Sequence, residues 1–194
     1  MTSERVFDAL KRDILSGDRA PGSKLEPAAL AEHLNSSATP VRDALHRLAG
    51  ARLVELRASE GFFIPFVTEP GLHDLYGWNA DLVRMLIRAW PNRRAPLKAD
   101  GLPADIGRAT PAFFELFVGR ADNREHIYQM TLANDRLAAP RAAERHVFED
   151  LEAELRELAV AFDNEPTGGL TRLVAAYHRR RLHAAAAIVR VIYK

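Results

Sequence analysis

A short segment near the start of the chain combines hydroxyl, basic and imidazole side chains at helical spacing. It reads NSSATPVRDALHRL over residues 35–48. Arg42 and His46 are four residues apart and therefore share one helix face, with Ser37 and Thr39 near its N-terminal end. A guanidinium can bind guanine or phosphate through paired hydrogen bonds. This segment suits a helix that contacts nucleic acid, although a Ser/Thr-Pro start is also simply a good helix cap.

The pattern of apolar residues predicts three helices around this segment. Val6, Leu10 and Ile14 recur at a spacing of four, which is typical of a helix with one buried face. A second helix is predicted to begin at Pro27, which is acceptable in a first turn. The polar residues 35–37 then form the turn that leads into the third helix. The first three elements are therefore helix, helix, turn, helix.

A two-stranded hairpin is predicted directly after the third helix. Residues 53–57 alternate apolar and polar side chains, as a half-buried strand does. Residues 58–61 can form a tight turn, and residues 62–66 return as the second strand. Three helices followed by such a hairpin make a winged helix-turn-helix, complete within about 65 residues.

The rest of the chain is predicted to be a separate, all-α helical bundle domain. We expect a first domain over residues 1–67, a linker over 68–71 and a helical domain over 72–194. The fold class is therefore mainly α. Proline and glycine predict irregular structure over 91–111. Apolar periodicity predicts helices beginning near Leu75 and over 111–118, 124–139 and 142–162, with a last helix after Gly168-Gly169.

Composition excludes several classes of protein and leaves nucleic-acid binding undecided. The chain has no cysteine, which excludes disulfides, thiolate metal sites and cysteine nucleophiles. No apolar run approaches the roughly 18 residues of a membrane span, and the N-terminus is unlike a signal peptide. These features predict a cytoplasmic protein without membrane contact. The net charge is only +1, so a phosphate-binding surface has to come from the local arrangement of bases.

The N-terminal segments together resemble the DNA-binding domain of GntR-type bacterial regulators. The similar stretches are PGSKL, LAEHLNSSATPVRDALHRLAGARLVEL and SEGFFI, in that order. The remainder resembles the FadR-type, or FCD-like, effector domain in length and in FFELFVGRADN. The resemblance implies a homodimeric repressor that binds a palindromic double-stranded DNA operator. The DNA-binding residues it implies, together with the chemistry above, are Lys24, Ser36, Ser37, Thr39, Arg42, His46, Arg47 and Gly61.

Three positions depart from the family's pattern in this domain. Ala38 and His46 stand where the family has arginines, and Glu60 stands in the wing where the family has a base. The loss of cationic contacts weakens binding and flattens its dependence on salt. We therefore expect an operator or an affinity different from the family's usual one.

The second domain departs further, at the positions where the FadR-type subgroup binds a divalent metal. Those positions carry Thr110, Phe114 and Leu155, and only His178 is retained. One imidazole cannot hold a metal, so we expect no metal and no other cofactor. The effector is unknown. An anionic effector, such as a carboxylate, suits Arg181 and His178, with Asn79 in the place of the family's first effector-helix motif.

Other interpretations remain open for both domains. The C-terminal domain could only dimerise and bind no effector, with His178 as a core histidine. The winged helix could serve protein contacts, for which Ala38 and Glu60 are the best arguments. A helical enzyme with a winged-helix appendage has no support, because the sequence shows no nucleophile–base pair at a useful spacing. We therefore predict that the protein is not an enzyme.

Overall fold

The structure is a computed structural model that describes residues 2–90, 99, 101–119, 121–164 and 168–194. Contacts within these residues divide into two compact units, one reaching Val67 and the other beginning at Thr68. The elements of the first unit are α1 (Ser3–Leu15), β1 (Lys24–Leu25), α2 (Pro27–His33), α3 (Ala38–Gly50), β2 (Glu55–Arg57) and β3 (Gly61–Phe63). This order confirms the predicted helices and hairpin and, with the second unit, the mainly α fold class.

The sheet of the first unit has a third strand that the sequence did not predict. Its antiparallel order is β1-β3-β2, with Leu56 opposite Phe62 and Lys24 opposite Phe63. The predicted hairpin is the β2–β3 pair. Strand β1 has only two residues, which is too short for an alternating pattern to be recognised.

The core of the first unit is entirely apolar. Helix α1 contributes Val6 and Leu10, and α3 contributes Val41 and Leu45, all of them at most 2% exposed. Phe62 joins them from β3. Burial of these side chains on one face of each helix fixes which face of α3 is left outside.

Six helices build the second unit. They are α4 (Glu69–Ala89), α5 (Ile106–Gly119), α6 (Arg124–Arg136), α7 (Ala138–Glu144), α8 (Leu151–Asp163) and α9 (Gly168–Ile192). Helices α4 and α9 are the longest and pack against each other. Among the described residues, no helix has the length and apolar character needed to cross a membrane.

The segment predicted as a linker is instead the beginning of α4. Thr68 caps this helix, and its hydroxyl accepts a hydrogen bond from the backbone N–H of Gly71 at 3.2 Å. Glu69 and Pro70 form the first turn. The Pro-Gly pair is typical of a turn, but a first helical turn tolerates proline because its N–H would have no partner there.

Two other predicted boundaries in the second unit are wrong. Most of 91–111 lies outside the described residues, but 106–111 is helical because α5 continues through Pro111. The long helix predicted over 142–162 is two helices, α7 and α8, separated by 145–150. Pro140 lies in the first turn of α7, where its missing N–H costs little, so a new helix begins before it.

Aromatic side chains fill much of the second core, and polar side chains share it. Five aromatic residues contact one another there: Phe113, Phe114, Phe117, Phe162 and Tyr177. The buried polar and charged side chains of the described residues are Asn79, Thr110, Asn134, Arg141, Glu144, His178 and Arg181. All seven lie in the second unit.

Candidate nucleic-acid interface and interior polar network

The N-terminal end of α3 is held by a tight turn after α2. Asn35 adopts a positive φ of 48°, and the backbone N–H of Ser36 donates to the carbonyl of Ala31 at 2.9 Å. Ser37 is the N-cap residue, as predicted, but its hydroxyl makes no capping hydrogen bond. The Ser37 hydroxyl is exposed at this end of the helix.

The outer face of α3 presents three of the predicted contact residues together. Thr39, Arg42 and His46 are exposed, whereas Val41 and Leu45 on the opposite face are fully buried. With about 3.6 residues per turn, the spacings of three, four and seven among the exposed residues place them on adjoining parts of one surface. A hydroxyl, a guanidinium and an imidazole therefore line one side of a short helix.

The imidazole of His46 also joins α3 to the wing. Its ring lies 4.9 Å from the ring of Phe62, centroid to centroid, in an edge-to-face arrangement. Phe62 is buried in strand β3, so this contact fixes His46 between the helix and the hairpin. The aromatic neighbour of His46 was not predicted from the sequence.

The sheet brings Lys24 to the tip of the wing. A Cβ built at Gly61 would lie 3.7 Å from Cε of Lys24, and Gly61 has a φ of 106°, which favours glycine. The Lys24 ammonium pairs with Glu26 at 2.7 Å, and both side chains are about half exposed. Glu60 is exposed in the turn beside Gly61. Strand β1 thus adds a base to a wing whose own turn carries an acid.

Arg47 lies on a different flank of α3 and contacts α1. Its guanidinium donates to both carboxylate oxygens of Glu4, at 3.0 and 3.2 Å, and stacks over the ring of Phe7 at 3.8 Å. Hydrogen bonding to Arg47 lowers the pKa of Glu4. The structure therefore does not bring Arg47 together with the group formed by Thr39, Arg42 and His46.

In the second unit, the candidate effector residues lie inside the helical bundle. His178 and Asn79 are at most 1% exposed, and Nε2 of His178 lies 2.9 Å from Oδ1 of Asn79. Nδ1 of His178 lies 2.8 Å from the carbonyl of Val174. Desolvation lowers the pKa of His178 to about 3, so the ring is neutral near pH 7. A neutral imidazole carries one N–H and can donate to only one of these two oxygens.

The third candidate, Arg181, is held by carboxylates of the protein itself. It donates from Nε and Nη2 to Glu144, at 3.1 and 2.9 Å, and from Nη1 to Glu154 at 2.8 Å. Its guanidinium also stacks on the ring of Tyr177 at 3.5 Å. Burial acts to lower the pKa of Arg181, but Tyr177 and Glu144 outweigh it and raise the pKa. The hydroxyl of Tyr76 donates to the same Glu144 carboxylate.

A second buried arginine, which the sequence did not single out, completes this interior polar network. Arg141 of α7 is 3% exposed. It donates to Oδ1 of Asn134 at 2.9 Å and to Oδ1 of Asn79 at 3.3 Å, and it lies over the ring of Phe114 at 4.6 Å. No local motif marks an arginine as buried, so only its position among alanines and a proline on a short helix could have suggested it.

The sequence profile described as "Bacterial regulatory proteins, gntR family" matches residues 2–64. These residues form a gntR-family domain. HTH-type transcriptional repressor GlaR of Escherichia coli K12 is 31% identical over 87 residues, 45% of this chain and 40% of GlaR. HTH-type transcriptional regulator Mce2R of Mycobacterium tuberculosis is 43% identical over 58 residues, 29% of this chain and 24% of Mce2R. The chain thus matches less than half the length of either relative. Both names describe regulators and not enzymes.

Two solved structures share the fold across both units of the chain. One is a candidate transcriptional regulator GntR from Rhodococcus sp. RHA1, with a TM-score of 0.78 and 20% identity, covering 96% of this chain and 97% of that one. The other is McbR/YncC of E. coli, with a TM-score of 0.60 and 19% identity, covering 96% and 99%. The fold that follows the gntR-family domain therefore also occurs in solved structures.

The second unit does not fit the divalent metal that FadR-type relatives of the gntR family imply. Phe114 and Leu155 offer no ligand atom, and the hydroxyl of Thr110 donates to the carbonyl of Ile106 at 3.2 Å. Both ring nitrogens of His178 face oxygens of the protein. Within the residues that the structure describes, no group of three or more His, Asp or Glu side chains could hold a metal ion.

Proposed function

We propose that the protein is a sequence-specific DNA-binding transcriptional regulator. Helix α3 lies in the major groove and reads base edges from its N-terminal half, while the wing approaches the adjacent backbone. The residues proposed to contact DNA are Lys24, Ser36, Ser37, Thr39, Arg42, His46 and Gly61. Arg47 was predicted with them, and it can reach a phosphate only by exchanging its partner Glu4.

One observation carries this proposal. Arg42 and His46 stand side by side on the face of α3 that the apolar core leaves outside, within a gntR-family domain. Arg42 provides the donors for a bidentate contact with guanine or phosphate. The N-terminal end of α3 adds backbone N–H groups that favour a phosphate. The hydroxyl of Ser37, which makes no cap bond, is another donor at the same end.

We further propose a homodimer that represses transcription from a palindromic operator. The matched relative GlaR is named a transcriptional repressor. Two copies of α3 in successive major grooves require half-sites about one helical turn apart. A small-molecule effector bound inside the second unit changes DNA affinity, and a coupling of about 1–3 kcal/mol is usual for such regulators.

Selection of genomic fragments by the purified full chain tests the DNA proposal. We expect the bound fragments to share a palindrome, and the protein to sediment as a dimer both alone and on DNA. Arg42→Ala should weaken binding to that palindrome by about 10-fold or more, because one good bidentate contact contributes about 1–3 kcal/mol. Affinities are compared at one salt concentration, since phosphate contacts make them salt-dependent.

Arg12→Ala is the matched control for that experiment. Arg12 is exposed on α1, which packs on the buried side of α3 and not on its outer face. We expect this variant to bind within about twofold of the unchanged protein, since exposed substitutions away from an interface have small effects. Fragments without a common sequence, or equal losses in both variants, contradict sequence reading by α3.

A winged helix used for protein contacts is the rival function. It is favoured by the acid Glu60 at the wing and by the exposed side chains of Leu56 and Phe66, which are 51% and 57% accessible. Glu60→Arg separates the two functions. It should strengthen binding to a DNA fragment if the wing lies near phosphates, and should leave DNA affinity unchanged if the wing contacts a protein.

A further inference from the structure

Two buried arginines of the second unit differ in how their charge is compensated. Arg181 and Arg141 are 1% and 3% exposed. Each nitrogen of the Arg181 guanidinium has a carboxylate oxygen within 3.1 Å, from Glu144 or Glu154. Removal of a guanidinium from water is costly unless an opposite charge or a full set of hydrogen bonds replaces the water. Arg181 meets that condition from within the protein.

Arg141 does not meet it. Its hydrogen-bond partners among the described residues are two neutral amide oxygens, on Asn134 and Asn79, and its remaining neighbour is the face of Phe114. Its Nε is buried without a hydrogen-bond partner. A guanidinium stays charged at every physiological pH, so it cannot escape this cost by losing a proton. The interior of the bundle therefore holds one cation that lacks a counter-charge.

Two more buried groups close to Arg141 lack partners, and both can donate. They are Nδ2 of Asn134, whose oxygen already binds Arg141, and the hydroxyl of Tyr177. Tyr177 and Arg141 both contact the ring of Phe114, at 5.0 and 4.6 Å. The unmet hydrogen-bonding capacity of this region is thus of the donor kind, beside an uncompensated positive charge.

We propose that Arg141 is the anion-binding residue of an effector site inside the helical unit, and that its ligand is a small carboxylate. This deepens the proposed function by giving its effector a chemical class and a recognition residue. An ionised carboxylate only accepts hydrogen bonds and carries one negative charge, so it matches both the donors and the single cation. Phe114 and Tyr177 provide aromatic surface for an apolar body of the ligand.

This inference moves the anion-binding charge from Arg181 to Arg141. Glu144 already occupies Arg181 as a ligand carboxylate would, with the bond from Tyr76 adding to it. A ligand at Arg181 would have to displace a buried carboxylate and leave it unpaired. Arg141 requires no such displacement. The fixed guanidinium also supplies the positive charge that a metal would bring, which agrees with the poor fit of the residues to a metal.

Thermal unfolding of the full chain with sodium benzoate as the probe tests this proposal. Benzamide, which has the same ring but no charge, is the matched control, and sodium chloride keeps the ionic strength equal. We expect a saturable rise in Tm with benzoate, of about 5–10 °C near 100 times its Kd, and none with benzamide. Equal shifts, or no shift with benzoate, overturn the carboxylate site and leave an interior filled by water only.

Two variants link the response to Arg141. Arg141→Met keeps the length of the side chain and removes the charge. It should retain or raise Tm without ligand, because an uncompensated buried charge is removed, and it should lose the benzoate response. Asn134→Asp places a carboxylate 2.9 Å from Nη1 of Arg141. We expect this internal counter-charge to raise Tm and to abolish the benzoate response, whereas Asn134→Ser should only weaken the response.

A benzoate response that survives in Arg141→Met, or a large fall of Tm in that variant, contradicts the assignment. The same proteins are then tested on the selected palindrome. If the palindrome is bound but benzoate never acts, the effector inference fails while the DNA-binding proposal stands. If benzoate stabilises the protein but no palindrome exists, the DNA-binding proposal fails while the anion site stands.

Discussion

The two units of this chain place their polar chemistry in opposite locations. In the first unit, the buried side chains are apolar, and Arg42, His46 and Lys24 lie at the surface. In the second unit, Arg141 and Arg181 are buried within the bundle. A surface cation suits a large anionic partner that never enters the protein, and an interior cation suits a small one that does.

This difference also determines how each unit tolerates change. Surface charges on the outer face of α3 contribute little to folding, so they are free to vary with the operator. Buried charges depend on one another, and the loss of one leaves its partner exposed to the full cost of desolvation. The first unit can therefore lose function without unfolding, whereas several changes in the second unit affect both.

The largest effect is expected for Arg181→Met. This change leaves the Glu144 carboxylate buried, with Tyr76 as its remaining hydrogen-bond donor, and should cost about 3–5 kcal/mol of unfolding free energy. Both tryptophans of the chain, Trp78 and Trp90, belong to the second unit, so urea unfolding followed by their fluorescence measures this unit.

Arg180→Met is the control on the adjacent residue. Arg180 is 32% exposed and pairs with Asp150 and Glu154, so its loss should cost no more than about 1 kcal/mol. If the two variants unfold at the same urea concentration, the buried network is not what distinguishes the second unit.

The next effect tests the apolar core of the first unit. Leu45→Ala removes a fully buried side chain from α3 and should cost about 2–5 kcal/mol. Circular dichroism should then show an early loss of helix, while the tryptophan transition stays in place. Asp43→Ala, exposed on the same helix, should change stability by less than about 0.5 kcal/mol. A shift of the tryptophan transition in Leu45→Ala would show that the two units unfold together.

A smaller effect follows from the low pKa of His178. The unfolded chain's imidazole gains a proton below about pH 6.5, whereas the folded ring stays neutral down to about pH 3 because of its burial. The unfolded state then binds more protons, so stability falls as the pH falls, by about 2 kcal/mol between pH 8 and pH 5. His178→Gln should remove that part of the decline, measured by urea unfolding at each pH. Parallel pH profiles of the two proteins would contradict it.

The sequence predicted the first unit far better than the second, for physical reasons. Periodic apolar residues such as Val41 and Leu45 define α3, and turn residues define the wing, so local patterns suffice there. In the second unit, helix ends depend on prolines that are harmless in first turns, as Pro70 and Pro140 are. The pairing of Arg181 with Glu144 joins α9 to α7, and no local pattern announces such a contact. Arg141 was missed for the same reason.

The smallest effect concerns the salt dependence of DNA binding, and it tests why the first unit's surface has so few bases. Ala38 and Glu60 stand at positions where relatives carry bases, at the start of α3 and at the wing tip. Ala38→Arg should add about one phosphate contact per subunit and steepen the plot of log affinity against log salt by about 0.9 per contact.

Glu60→Gln is the control for that change, because it removes a repulsion without adding a contact. It should raise affinity by a smaller factor and leave the slope nearly unchanged, since the slope counts phosphates neutralised by cations. An unchanged slope for Ala38→Arg would place residue 38 away from the DNA backbone. The neighbouring Arg42 would then be reading bases from a helix that approaches the groove at a different angle, because the start of α3 is the part of the helix nearest to the phosphates in the proposed docking.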